Sequence, residues 1–413
     1  MADADDRSLQ AGETQTGSDV SSQMTELVLH NARVVLPDRI VRGGVVVRSG
    51  LIASVFDEDE KPSGIESIDL GQLFLAPGLI DIHIHGSAGV DVQNADQPSL
   101  DLLSEFLLAE GVTSYFATFV PTDDDRYRRA TDSVARFMTD EEKREPRARI
   151  AGIHFEGPFV SLKRCGALQT RHFRIYDGDP RSLGLFTLAD RFPTLMTLAP
   201  EVEGGLDLVR ELTSRGVRVF IGHTQADLET LDKVFEAGAH HITHFPNALD
   251  PLHHRNPGAV GWGLLREGVT MDCIADFHHV HPMMLKLMHK SKGGCALSLI
   301  SDAIQPAGLG DGEYLVWGDR ISIVNGRTAL VEGPAQGAIA GSVITMREAL
   351  KNFALLGVPL NEAVSMATLA PARAAGIGDE CGSIERGKRA DLIAFDEDFS
   401  IRLSVVGGKV TRY

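Results

Sequence analysis

Two hydrophobic rhythms alternate along the middle of the chain. Short β-rich apolar runs recur at Leu79–His85, Thr113–Val120, Arg149–Phe155, Leu195–Ala199, Val217–Ile221, His241–Phe245, Val269–Ala275 and Cys295–Ser301. Between them lie stretches of helical character: Ser99–Glu110, Asp124–Asp140, Leu206–Arg215 and Ala226–Ala237, with Gly111, Gly216 and Gly238 placed to stop three of them. Ser99, following Pro98, reads as the first helix's N-cap. Eight strands separated by helices predict a (β/α)8 TIM-type barrel rather than a doubly wound sheet.

The chain ends follow a different pattern. Leu27–Leu36 and Val45–Val55 near the start, and Gly382–Gly387, Ala390–Phe395 and Ser400–Tyr413 near the finish, read as short strands broken by glycine turns. The expectation is a small β-sandwich domain built from both ends, residues 25–75 and 377–413, flanking a barrel over 76–376. The first 24 residues are polar and acidic, without the basic and apolar regions of a signal peptide, and predict a disordered tail on a cytoplasmic protein. Asp140–Arg149, rich in Glu, Lys and Arg, reads as a solvated helix end and loop.

Composition narrows the function classes. A net charge of −17 opposes sequence-independent binding to nucleic acid or anionic membrane, which requires a basic face. No run of about 18 apolar residues could span a bilayer. Cys165, Cys273, Cys295 and Cys381 are widely spaced and form no CxxC, so neither a disulfide framework nor a thiolate zinc site is signalled.

The candidate chemistry falls at strand ends, where barrel enzymes carry their active sites. The run PGLIDIHIHG, 77–86, ends a buried strand with two imidazoles at i and i+2, which share a face. Such a pair alone also suits a strand surfacing into solvent. Glu156, His223, His244 and Asp302 follow the third, fifth, sixth and eighth strands. Together with His83 and His85 they predict divalent-metal chemistry with nitrogen and oxygen donors.

With these residues the chain resembles the amidohydrolase superfamily and, within it, is similar to N-acetylglucosamine-6-phosphate deacetylases. The matching stretches are PGLIDIHIHG, GIHFEGPF, GHT, THFPNAL with PLHHRNPG, ADFHHVHP, SDA, AGS and ATLAPARAAG, spread from about Thr25 to the C-terminus. The resemblance implies that Glu156, His223 and His244 bind the principal ion, zinc first, with iron, manganese or cobalt as alternatives. It implies that His83 and His85 can help hold a second ion, and that Asp302 is the catalytic carboxylate. Asn247, the backbone of Ala248 and Arg255 would hold the sugar phosphate, and His279 the sugar or acetyl carbonyl. Ala167 and the segment Ile339, Ala340 and Gly341 would lie against substrate, although that segment also suits a plain loop before a helix at Thr345–Leu356.

A homodimer is implied as well, since in the family the arginine can reach the neighbouring subunit's site. The implied reaction is deacetylation of N-acetylglucosamine 6-phosphate, with another N-acetylhexosamine phosphate, such as the galactosamine epimer, as the alternative. A hydrolase of cyclic amides or N-acyl amino acids fits less well, and so does a non-catalytic sugar-phosphate sensor, which has no need of Asp302. Two departures bear on the sugar. Leu168 replaces a usual substrate-contacting histidine, with Gln169, Arg171 or His172 as candidates to compensate, and Phe277 stands where relatives tend to have glycine, a ring that would narrow the pocket.

Overall fold

Eight parallel strands pair in chain order: β1 (Leu79–Ile84), β2 (Val112–Phe119), β3 (Arg149–Glu156), β4 (Thr194–Leu198), β5 (Arg218–Ile221), β6 (His241–Ile242), β7 (Thr270–Ile274) and β8 (Leu297–Ile300). The structure is a computed structural model describing residues 26–139, 145–333 and 335–413. The expected tail over 1–24 and the 140–144 portion of the Asp140–Arg149 loop lie outside the described residues. β1, β2 and β4 are buried along their whole length. This is why they read as continuous apolar runs: a barrel strand is covered by helices outside and by packed side chains inside. The strand β6 is shorter than the expected His241–Phe245 because the backbone turns at His244, where φ is 35°.

The helices are α1 (Gln97–Ala109), α2 (Asp124–Thr139), α3 (Gly205–Ser214), α4 (Leu228–Glu236), α5 (Gly258–Leu265), α6 (Pro282–Lys292), α7 (Met346–Leu355), α8 (Leu360–Ala367) and α9 (Leu369–Ala375). Gly111, Gly216 and Gly238 follow α1, α3 and α4 at φ of 84°, 76° and 108°, the left-handed conformation that ends a helix cheaply only at glycine. The N-cap of α1 is Asp96, not Ser99. Its carboxylate accepts from Ser99 N at 3.0 Å and from Ser99 Oγ at 2.6 Å. Pro98 lies inside the first turn, where a missing N–H costs nothing, so the cap falls three residues earlier than the Pro-Ser pair suggests. Between β3 and β4 no α-helix forms; residues 157–193 carry only the 3-10 turns Leu162–Arg164, Thr170–His172 and Pro180–Leu183.

The two chain ends form one eight-stranded sheet. Phe74–Pro77 from the N-terminal side pairs antiparallel with Leu392–Phe395, and Ile401–Val406 and Lys409–Arg412 extend it. The sheet curls until Ile52 N donates to Lys388 O and Ala390 N to Gly50 O, both at 2.8 Å. Leu29, Val34, Val45, Leu75, Leu392 and Leu403 fill the core so enclosed. Gly382–Gly387 is not a strand. Both glycines sit at positive φ, 92° and 90°, so the run is a turn. All four cysteines are free.

A three-stranded antiparallel sheet, Gly312–Val316, Asp319–Val324 and Arg327–Leu330, is inserted after β8. β8 and β1 close the barrel without a continuous ladder. Just beyond β8, Ala303 bridges to Ile84; Asp302 N donates to His83 O at 2.9 Å and His85 N to Ala303 O at 2.8 Å. Lower in the seam the fully buried Asp81 accepts from Ser301 Oγ at 2.5 Å and from Ser301 N at 3.2 Å. Burial holds the Asp81 carboxyl up, to about 6, against the Ser301 hydrogen bonds that favour the carboxylate. Replacing Ser301 with alanine removes one of these donors from a buried acid. We expect Ser301→Ala to lower unfolding stability by about 1–3 kcal/mol, read as a reduced urea midpoint; an unchanged midpoint would show that this contact does not secure the seam.

Candidate metal centre and catalytic cavity

Six side chains converge at the C-terminal mouth of the barrel. β1 delivers His83 and His85, whose Nε2 atoms lie 3.2 Å apart. β3 ends on Glu156, and the turns after β5, β6 and β8 supply His223, His244 and Asp302. They fall into two groups of three, His83, His85 and Asp302, and Glu156, His223 and His244; within each, one donor atom per residue lies within 4.8 Å of the others, an arrangement suited to a metal ion. Glu156 joins the groups. Its Oε1 is 3.0 Å from His223 Nε2, 3.1 Å from His244 Nε2 and 3.5 Å from His83 Nε2, while Oε2 is 3.4 Å from His85 Nε2.

The donor set fits a cation. His223 Nδ1 lies 2.8 Å from Arg164 O; its N–H donates a hydrogen bond to that carbonyl, which leaves the Nε2 lone pair facing Glu156. The Nε2 atoms of His223 and His244 are 3.1 Å apart and both face carboxylate oxygen. Lone pairs gathered this closely repel unless positive charge lies among them. Titration points the same way. Burial opposes charge on His85, but Asp302 and Glu156 outweigh it and raise its pKa to about 10. Burial likewise pushes Glu156 up, yet the charge of His83 and the hydrogen bonds of His223 and His244 hold it well below the usual carboxylate range. The Asp302 carboxyl, 3.2 Å from His85 Nε2, is also lowered, with burial opposed by His83 and His85.

Three of the six hold strained backbone. His223, His244 and Asp302 have φ of 48°, 35° and 49°, a region costing a non-glycine residue roughly 1–2 kcal/mol. Neighbours secure each turn. Glu201 accepts from Gln225 N at 2.8 Å and from the Thr224 hydroxyl. Asp272, fully buried, accepts from the His244 backbone N–H and from His241 Nε2, the latter at 2.9 Å. Asp302 is tied by its own N–H to β1 and by its carbonyl to Ser342 N at 2.7 Å. Gly341 must be glycine here: a Cβ would meet Ile304 Cγ2 at 2.5 Å and Asp302 O at 3.1 Å. None of Glu201, Asp272 and Asp81 was evident from the sequence.

Five of the six donors line a cavity of about 170 Å³; the sixth, His83, is fully buried and does not line it. Ala167, Asn247, Ala248, His279, Ile339 and Gly341 line it, as do Leu168 and Trp317, neither of which the sequence nominated as a contact. His279 is oriented by Asp276, whose Oδ2 is 2.6 Å from His279 Nδ1. Ala340 faces away, into a satellite core with Ile304, Val316, Ile321 and Leu330. Arg255 lies on an exposed loop and is not among the lining residues. Gln169, Arg171 and His172 do not line the cavity either; Gln169 instead donates to Trp317 O at 2.7 Å. The Phe277 ring packs against the barrel core rather than narrowing the cavity. His154, below His83, is a structural histidine: burial holds it well below its usual pKa, and its ring nitrogens lie 2.8 Å from Ile82 O and Thr197 Oγ1.

A parallel barrel with His, Glu and Asp donors at its C-terminal mouth defines a metal-dependent barrel hydrolase. Comparison with known proteins gives the particular branch. Residues 74–411 match the amidohydrolase family. An N-acetylglucosamine-6-phosphate deacetylase of Bacillus subtilis (strain 168) is 34% identical, covering 93% of this chain and 96% of the relative. An N-acetylgalactosamine-6-phosphate deacetylase of Escherichia coli O157:H7 is 33% identical, covering 89% and 94%. The crystal structure of N-acetylglucosamine-6-phosphate deacetylase from Pasteurella multocida superposes with a TM-score of 0.86 at 28% identity, covering 94% of this chain and all of that one. The chain belongs to the amidohydrolase family, in its branch of amino-sugar-phosphate deacetylases.

The shared Glu156 makes a prediction about metal content. His83→Gln combined with His85→Asn should lower the ion stoichiometry of the purified protein while leaving one ion bound. Glu156→Gln should lower it at both groups. Elemental analysis that finds full loss in the double variant would make His83 and His85 the primary anchor instead.

Proposed function

We propose that this protein hydrolyses the acetamide of N-acetyl-D-glucosamine 6-phosphate to D-glucosamine 6-phosphate and acetate. The observation that carries this is Asp302, a buried carboxylate that joins His83 and His85 in one metal-type donor group and lines the same cavity as the second group, Glu156, His223 and His244. A divalent cation, which Glu156, His223 and His244 would hold, with His83 and His85 able to hold a second, would lower the pKa of a water toward about 7 and polarise the scissile carbonyl. Zinc is our first choice for this donor set, with iron, manganese and cobalt as alternatives. Asp302 takes the proton of the attacking water and passes it to the departing amine, serving as base and then acid. His279, fixed through Nδ1 by Asp276, turns its other ring nitrogen to the sugar or acetyl oxygen.

The phosphate is the harder part of the substrate to hold. No lysine or arginine lines the cavity among the described residues, so Asn247 and the Ala248 backbone offer only neutral donors. Arg255, exposed on its own subunit, supplies the missing fork if two copies associate and each lends it to the other's cavity. A homodimer follows from that reading. For location, no helix among the described residues is long and apolar enough to cross a membrane, and with the acidic charge this supports the cytoplasm.

The test is amine release from N-acetylated sugars with and without 6-phosphate. Metal-replete wild type should turn over the phosphorylated glucosamine derivative, and Asp302→Asn should lose about 100-fold or more in kcat. Faster turnover of N-acetylgalactosamine 6-phosphate would assign the enzyme to the 4-epimer. Arg255→Ala should raise KM chiefly for phosphorylated substrates; an equal effect on unphosphorylated sugars would remove Arg255 from the phosphate site.

A further inference from the structure

Trp317 occupies the first of two turn positions, Trp317-Gly318, joining Gly312–Val316 to Asp319–Val324, with φ of 52° and 93°. Turns with two positive φ values favour Asn, Asp or Gly at the first position, and a bulky aromatic residue there is strained. The strain is held by contacts that aim the indole. Gln169 donates to the Trp317 carbonyl at 2.7 Å. The ring stands edge-on to His85 with centroids 5.1 Å apart, and it packs beside Leu168, Val120 and Val160.

The cavity therefore has two kinds of wall. Asn247, Ala248 and His279, from the segments after β6 and β7, present polar groups; Trp317 beside His85, and Leu168 packed with it, are the apolar side chains next to that histidine, while Ala167, Ile274 and Ile339 complete the lining. In amide hydrolysis the carbonyl must lie at Asp302 and the donor groups, while the sugar hydroxyls and phosphate require polar partners. The alkyl part of the acyl group then falls on the apolar side. We propose that Trp317, with Leu168, forms the wall of the acyl subsite and sets the acyl length this enzyme accepts, favouring acetyl over longer chains. This rests on the deacetylase reading above.

The test compares kcat/KM for N-acetyl, N-propionyl and N-butyryl glucosamine 6-phosphate in wild type, Trp317→Asn, Trp317→Phe and Leu168→Ala. Asparagine suits the turn and removes the ring; Leu168→Ala opens the same wall without touching the turn. Trp317→Asn and Leu168→Ala should each raise the butyryl-to-acetyl ratio about 10-fold or more, with Trp317→Phe between them and wild type. The inhibition constant of glucosamine 6-phosphate, which lacks the acyl group, should stay unchanged. An unchanged ratio with weakened product binding would place the indole against the sugar and overturn the acyl wall alone. A wild type that hydrolyses no N-acyl sugar phosphate would overturn the deacetylase reading and this inference with it.

Discussion

The seam between β1 and β8 is the constraint on which the rest depends. Elsewhere neighbouring barrel strands are joined by ladder pairing, but here closure falls to a few contacts at the mouth: Asp302 N to His83 O, His85 N to Ala303 O, and Ser301 to the buried Asp81. The same three-residue run that closes the barrel presents Asp302 to His83 and His85. The geometry of the donor cluster and barrel closure are thus one problem for this chain. A carboxylate placed by two backbone hydrogen bonds and a glycine-lined approach has little freedom to drift, which is what proton transfer at fixed distance requires.

Strain and rigidity complement each other around that mouth. His223, His244 and Asp302 all depart from ordinary φ at the point where a strand becomes a turn, and each departure aims a donor inward rather than along the strand. Left-handed backbone persists only where its surroundings over-determine it. Here buried or half-buried carboxylates provide that: Glu201 behind His223 and Asp272 behind His244. The carboxylates of this site therefore divide by task. Glu156 and Asp302 face the cavity, whereas Asp81, Asp272 and Asp276 face backbone or imidazole N–H groups and set direction.

Much of this was legible in the sequence, for a physical reason. Buried barrel strands are continuous apolar runs, and the residue types that bind metals are rare enough at strand ends to stand out, so the eight strands and His83, His85, Glu156, His223, His244 and Asp302 could all be picked out. The supporting carboxylates could not. Asp81 meets Ser301 across 220 residues and Asp272 meets His244 across 28, and a lone aspartate in a strand carries no mark of its partner. The inserted sheet was different: its signal was present and went unread. Val324-Asn325-Gly326-Arg327 is an Asn-Gly hairpin turn between alternating residues, and Trp317-Gly318 is the turn before it. Ser99 suits a cap only where Pro98 marks a boundary, but the first helical turn tolerates proline and Asp96 caps the helix instead.

Charge explains what the cavity leaves out. A chain of net charge −17 repels an anionic substrate at long range, and a cavity lined by neutral donors does little to offset that. Placing a lysine beside Glu156 and Asp302 would correct the field, but it would also compete with a metal ion for the same carboxylates. Arginine accordingly stays outside the donor clusters: Arg255 is on an exposed loop and does not line the cavity. The same reasoning explains the indole at the opposite wall. Beside His85, a further polar group would be another candidate ligand or proton partner; Trp317 fills the space with an aromatic ring set edge-on to His85. The donor set is kept definite by what surrounds it: apolar at Trp317 beside His85, neutral at Asn247 and Ala248, and with no lysine or arginine lining the cavity among the described residues.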